Sequence, residues 1–183
     1  MLEMKKEYTL TVFSENQTGL LARVTSVFTR RHINIESLTV SKSSMPGIHR
    51  FTIVVNTTEE VVRKLAAQLE KQVDVLKAFY YQPEEIIYQE IALYKVPTAV
   101  FRNGVSLEAL IRRHNARILE IEPDFVVLEK TGHQYETEAL LDELQQHGIY
   151  EFVRSGRVAI VKPMERLRAY LQTVEMEPTT RQE

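Results

Sequence analysis

The chain has no cysteine. Disulfide frameworks, zinc–thiolate sites and thiol catalysis are therefore excluded, and the absence suits a reducing compartment. Long apolar runs are also missing. Residues 1–7 hold no stretch long enough for a signal peptide, and no later segment approaches a membrane span. Both absences predict a cytoplasmic protein without a membrane partner. Charge of one sign is not in excess. The formal net charge is −2, with lysines and arginines spread along the chain, whereas a dedicated nucleic-acid binder shows a basic face.

Catalytic signatures are lacking too. The histidines, at 32, 49, 114, 133 and 147, show no metal-ligand spacing such as His-x-x-x-His, so no metal site is expected. The glycines are scattered, with no Gly-x-Gly phosphate loop. No serine sits in a Gly-x-Ser-x-Gly elbow. Glu36 and Glu122 are single carboxylates at strand ends. Nothing near them in sequence would tune them for acid–base work, so they read as solvated or paired surface charge.

What is present is ordinary globular material: 183 residues, 44% hydrophobic and 26% charged, enough for one domain or two small ones. Tyr8 to Phe13 alternates as a half-buried strand. From Gly19 the period changes, and Leu20, Leu21, Val24, Val27 and Phe28 fall at helical spacing, with Thr18 the expected N-cap. Arg30, Arg31 and His32 fall in the expected last turn, where positive charge suits the helix dipole. A strand beginning at Ile33 and Asn34 follows, its phase slipping across Glu36-Ser37, which predicts a bulge or bend. Ser43 to Gly47 is a turn, and Phe51, Ile53 and Val55 mark a third strand. Thr57 or Thr58 caps a second helix with Glu59 and Glu60 in its first turn and Val62, Leu65, Ala66 and Leu69 as its apolar stripe. Val73 to Tyr81 supplies a fourth strand. The order is β-α-β-β-α-β, a ferredoxin-like unit.

Pro83-Glu84-Glu85 reads as a linker, and the second half repeats the order. Ile86 to Val96 is a strand and Phe101 to Gly104 a turn. Ser106 to His114 is a helix, and residues 117–122 and 125–128 are strands. A helix runs from about Tyr135 to Gln146, with Ala139, Leu140 and Leu144 inward and Gly148 closing it. Tyr150 to Ile160 is one strand or two, broken near Ser155-Gly156. Pro163 to Thr173 is expected to be a closing helix, and the tail from Val174 disordered. The fold class is α+β, two ferredoxin-like βαββαβ domains in tandem at residues 1–82 and 83–173, with a tail at 174–183. Arg30-Arg31-His32 echoes in Arg112-Arg113-His114, but the repeat rests on the order of elements.

Two stretches carry candidate chemistry: Glu15 to Val24, and Asn34 to Val40. A helix opening at Gly19 presents unpaired N–H groups and a positive dipole end, which suit a carboxylate. Glycine lets a ligand approach the backbone. Asn16 and Asn34 each offer a donor and an acceptor, and Leu20, Leu21 and Ile35 could line a small apolar pocket. The set describes a site for an aliphatic amino-acid zwitterion. On chemistry alone the plainer reading stands ahead: Gly19 serves the turn, Asn16 is a turn or cap residue, and the leucines are core.

Glu15-Asn16-Gln17-Thr18-Gly19-Leu20-Leu21-Ala22-Arg23-Val24, then Phe28, then Asn34-Ile35-Glu36-Ser37-Leu38-Thr39-Val40, resemble the regulatory small subunit of acetohydroxyacid (acetolactate) synthase. Leu69 to Leu76 and Arg154-Ser155-Gly156 also look like family segments. The resemblance is strong over residues 8–80 and weaker beyond. It implies an N-terminal ACT domain, an amino-acid sensor that pairs side by side as a homodimer, followed by a second ferredoxin-like domain. By the matching motifs, Asn16, Gly19, Leu20 and Leu21 of one chain and Asn34 and Ile35 of its partner would face the effector, valine or another branched-chain amino acid. The partner is the large catalytic subunit, which carries thiamine diphosphate, magnesium and FAD. This chain carries no catalytic residue of its own. His32 departs from the family: the position two before Asn34 is often glycine. Two rivals stand beside this reading, a free-standing ACT-type sensor acting on another protein, and a small enzyme on a ferredoxin-like frame.

Overall fold

The structure is a computed structural model that describes residues 4–102 and 106–162. The first lobe contains β1 (Lys6–Glu15), α1 (Leu20–Thr29), β2 (Ser37–Lys42), β3 (Ile48–Thr57), α2 (Glu59–Leu69) and β4 (Val75–Tyr81). A 3-10 turn at Pro83–Glu85 leads into the second lobe. That lobe contains β5 (Ile86–Pro97), α3 (Ala99–Arg102), α4 (Leu107–His114), β6 (Arg117–Ile121), β7 (Phe125–Gly132), α5 (Gln134–Gln145), β8 (Glu151–Arg154) and β9 (Val158–Val161). Both lobes are βαββαβ. The first sheet has the order β2-β3-β1-β4 and the second β6-β7-β5-β8, with β9 also on β5. Strands β8 and β9 pair with successive halves of β5, Ala92 to Lys95 and Ile86 to Gln89, so they form one edge broken at residues 155–157.

Period explains each layer. On β1, Tyr8, Leu10 and Val12 face α1 and α2 and join Val24, Val27, Phe28, Leu65 and Leu69 in the first core. The residues between them, Thr9, Thr11 and Phe13, are buried as well, because the second lobe covers the opposite face of this sheet. Ala92, Tyr94 and Val96 of β5 face Leu110, Leu140 and Leu144 in the second core. Tyr94 finds a partner for its hydroxyl, which donates to the Thr137 carbonyl at 2.6 Å, and burial raises its pKa.

The covering face is polar at its centre. Arg157 is 2% exposed. Its Nη1 donates to Glu7 Oε1 at 2.8 Å and to Thr9 Oγ1 at 2.9 Å, and its guanidinium lies 3.8 Å from the centroid of the Tyr88 ring. Its backbone N–H donates to Ser37 Oγ at 3.0 Å. Gly156 lies so close to β2 that a Cβ there would stand 2.3 Å from Thr39 Oγ1 and 3.0 Å from the Leu38 carbonyl oxygen. The break between β8 and β9 is thus the place where the second lobe grips the first.

Several local expectations need correction. The N-cap of α1 is Gly19, not Thr18, and makes no side-chain cap bond. Arg30, Arg31 and His32 lie just past α1, not in its last turn. Residues 33–36 are not strand: the chain bends at Glu36 and β2 starts at Ser37, because Ile33 and Ile35 pack on the core rather than alternating across a sheet. Val73 precedes β4 and is 93% exposed. Phe101 and Arg102 are helical. Ala139 is exposed and Thr137 is buried in its stead. Gln146 is the C-cap of α5, and Gly148 follows with φ 98°. The closing helix and tail expected from Pro163 onward lie outside the described residues.

The echo of Arg-Arg-His has a structural basis shifted by one residue. Among the described residues, His32 (φ 53°) and Asn115 (φ 49°) are the positive-φ non-glycine residues. Each ends its helix the same way. His32 N–H donates to Thr29 O and Ile33 N–H to Phe28 O, and Asn115 N–H donates to Arg112 O and Ala116 N–H to Ile111 O. This is the Schellman pattern, with the left-handed residue where glycine is commonest. His32 therefore corresponds to Asn115, not His114.

Candidate functional site

The turn after β1 is tied down from two sides. Glu15 N–H donates to Asp74 O at 2.9 Å and Asn16 N–H to Gly47 O at 3.0 Å. Arg23 reaches across from α1 to the Asp74 carboxylate. Gly19 then adopts φ 81°, a left-handed conformation in which a side chain is strained, and an added Cβ would meet nothing within 4 Å. The first intrahelical bond is Arg23 N–H to Gly19 O at 3.2 Å, so the amides of Leu21 and Ala22 open the helix without an i−4 acceptor. Asn16, Gly19 and Leu21 are exposed, Leu21 at 48%. Leu20 is 3% exposed and belongs to the core. Its side chain lies under the turn, and its neighbour Leu21 offers the apolar surface.

The second stretch is built differently. Asn34 is exposed and donates from Nδ2 to Glu36 Oε1 at 3.1 Å. Ile35 is half-buried against the core. Glu36 N–H donates to Val54 O at 2.9 Å, which starts the β2–β3 ladder.

The structure does not bring the two stretches together within one chain. Glu15 pairs with Ile48 on β3, whereas Ser37 pairs with Val54, six residues along the same strand. At about 3.3 Å per residue that separates them by roughly 20 Å. Asn16 and Gly19 sit at one end of the first sheet, and Asn34 and Ile35 at the other. Helix α1 runs between the two ends. No small ligand spans both groups on a single chain.

An acid–base centre finds little support among the described residues. No group of three or more His, Asp or Glu side chains is placed to hold a metal ion. Glu36 and Glu122 are exposed. The carboxylates between the lobes are paired: Glu7 with Arg157, and Glu90 with Arg154 Nε at 3.4 Å and Arg157 Nε at 3.9 Å. His114 meets Glu143 at 2.6 Å, and that hydrogen bond, helped by Arg113, lowers the Glu143 pKa. The pair ties α4 to α5. No helix among the described residues is long and apolar enough to cross a membrane.

Sequence reasoning missed Arg157 and Arg50. A signal existed for each, an arginine set inside an apolar alternation: Val158-Ala159-Ile160 after the one, Phe51 to Val55 after the other. Their partners, far away in sequence, were not readable.

Tandem βαββαβ lobes, the first with a glycine-opened helix beside a polar edge strand, define a two-lobed ferredoxin-like protein headed by an ACT-type lobe. A family model for the AHAS small subunit-like ACT domain matches residues 10–77, and one for the small subunit of acetolactate synthase matches residues 89–163. The acetolactate synthase small subunit of Bacillus subtilis is 35% identical over 174 residues, covering 94% of this chain and 99% of that protein. A probable acetolactate synthase small subunit of Archaeoglobus fulgidus is 35% identical over 156 residues, covering 85% of this chain and 97% of that protein. The crystal structure of the acetolactate synthase small subunit of Thermotoga maritima matches with a TM-score of 0.78 at 28% identity, over 86% of this chain and 98% of that one. The chain belongs to the acetolactate synthase small-subunit family.

Proposed function

We propose that this chain is the regulatory subunit of an acetolactate synthase. It binds a branched-chain amino acid, valine first, at a seam between two copies of the first lobe. It activates a separate catalytic subunit, which carries thiamine diphosphate, magnesium and FAD, and makes that subunit subject to feedback in branched-chain amino-acid synthesis. The setting is the cytoplasm.

The observation that carries the reading is the placement of the two motif halves at opposite ends of the first sheet, the Gly19 half after β1 and beside the β2–β3 turn, the Asn34 half at the start of β2. Strand β2 is an open edge of that sheet, and α1 links the two ends of the sheet. In a two-fold pair the same edge meets itself running the other way. The Asn34 end of one chain then faces the Gly19 end of its partner. The ligand carboxylate lies on the open amides of Leu21 and Ala22, the asparagine amides hold the polar groups, and Leu21 and Ile35 meet the side chain. A ligand that bridges two lobes in one arrangement and not in another shifts that equilibrium. The catalytic subunit feels the shift, and by linkage its binding alters effector affinity in return.

Gly19→Asp tests the assignment. Aspartate tolerates the left-handed conformation at a cost of about 1 kcal/mol, so the variant folds. Its carboxylate repels the ligand carboxylate. Calorimetric titration with valine is expected to show binding weakened at least roughly tenfold, with activation of the catalytic subunit retained. Unchanged affinity would remove the site assignment.

A further inference from the structure

The lobes leave a space between them that the effector reading does not use. A cavity of about 310 Å³, open to solvent, lies between the outer face of β2–β3 and strand β9. Among the described residues its charged lining has one sign only: Lys42 and Arg50, with no carboxylate. Ser41, Ser43, Ser44 and Thr52 add hydroxyls, and Phe13, Met45, Val158 and Ile160 supply an apolar wall. Arg50 is held there from both lobes. Its Nη2 donates to the Ala159 carbonyl at 2.5 Å, its guanidinium lies 5.8 Å from the Phe13 ring centroid, and its Nε is buried without a hydrogen-bond partner. A half-buried guanidinium lining a cavity that holds no acid among the described residues is an incomplete ion pair. Burial also lowers its pKa, and an anion in the cavity would oppose that shift.

We propose that this cavity binds a small aliphatic carboxylate of about four to six carbons, with its carboxylate on Arg50 and Lys42 and its hydrocarbon against Phe13 and Ile160. The volume sits at the low end of the range for small-ligand sites, about 300–1,000 Å³. The charge pattern selects within the class. An amino acid would bring its ammonium group next to two cations, with no acid among the described lining residues to receive it, so the cavity rejects zwitterions and takes simple carboxylates. The site is separate from the effector turn. Phe13, Ser41, Arg50 and Thr52 lie on the face of the first sheet that looks away from α1. The turn that closes the cavity also accepts the Asn16 amide through Gly47, so the two sites adjoin without sharing a side chain. A ligand here touches both lobes of one chain and needs no second copy, so its failure and that of the valine site are distinguishable.

The test uses the full-length, nitrogen-15-labelled chain. It is titrated in parallel with 3-methylbutanoate, valine and inorganic phosphate, and the amide resonances of Thr52 and Ala159, away from the effector turn, are followed. Saturable shifts at these amides with 3-methylbutanoate, and none there with valine or phosphate at equal concentration, are expected. Arg50→Gln weakens that binding at least roughly tenfold. So does Ser41→Glu, an exposed position where the substitution spares the fold and places a carboxylate at the two cations. No saturable shift with 3-methylbutanoate overturns the proposal. So do equal shifts with valine, shifts with phosphate alone, or full binding by a folded Ser41→Glu variant.

Discussion

Removing Arg157 tests how the two lobes hold one another. In Arg157→Met the apolar stem is largely kept and the guanidinium is lost. Glu7 Oε1 and Thr9 Oγ1 each lose a hydrogen bond, of 2.8 and 2.9 Å, and the Tyr88 ring loses a cation 3.8 Å from its centroid. Breaking a buried ion pair from one side typically costs about 3–5 kcal/mol. Two features reduce that here. The Glu7 side chain is 31% exposed and regains water, and Glu90 keeps Arg154 Nε at 3.4 Å. The expected loss is about 2–4 kcal/mol. For a chain of this length each kcal/mol moves the midpoint by about 2–4 °C, so the melting temperature should fall by roughly 5–15 °C. Thermal melts followed by circular dichroism read the shift. A double-mutant cycle with Glu7→Gln isolates the pair, for which a coupling of about 1–2 kcal/mol is expected. A melt within about 1 °C of the parent, or a coupling indistinguishable from zero, refutes Arg157 as the fastening between lobes.

Other consequences follow from backbone and capping geometry. His32 holds φ 53° at the end of α1, so His32→Gly should stabilise the chain by about 0.5–1 kcal/mol in denaturant titration, and a loss of stability would contradict the strain. Glu136 caps α5 by accepting the His133 N–H at 2.8 Å, and that bond is the main cause of its lowered pKa. A carboxylate whose folded pKa is depressed contributes stability above its unfolded value, near 4.5, and loses it as pH falls through the folded value. The parent should therefore lose more stability than Glu136→Gln between about pH 5 and pH 3. Parallel acid titrations that superimpose would contradict the cap.

Most of the element order was legible because period is local. The alternation at Tyr8, Leu10 and Val12 and the helical stripe at Val62, Leu65, Ala66 and Leu69 need no knowledge of distant residues. Failures came where a local pattern was overruled from elsewhere. Ile33 and Ile35 alternate like a strand, yet the left-handed turn at His32 delivers both to the core before any ladder begins. Ala139 looked like an inward residue, but Thr137 is buried instead, its hydroxyl donating to the Gln134 carbonyl and its own carbonyl accepting from the Tyr94 hydroxyl. Leu20 and Leu21 carried equal weight in the motif. Helical spacing puts Leu20 with Val24, Val27 and Phe28, which leaves Leu21 alone outside. Arg157 carried only a weak signal, the apolar alternation after it, since what makes its burial tolerable is Glu7, 150 residues earlier.

Under the proposed function the effector site is completed by a second copy, because its halves sit roughly 20 Å apart on one chain. Two site-dead variants, Gly19→Asp and Asn34→Asp, decide it when they are mixed, exchanged into hybrid pairs and titrated calorimetrically with valine. A shared site predicts recovery. In each hybrid, the intact Gly19 end of one chain faces the intact Asn34 end of the other, restoring about a quarter of all sites in an equal mixture. A site contained within one chain predicts none, and an equal mixture that binds no more valine than either variant alone would contradict the account.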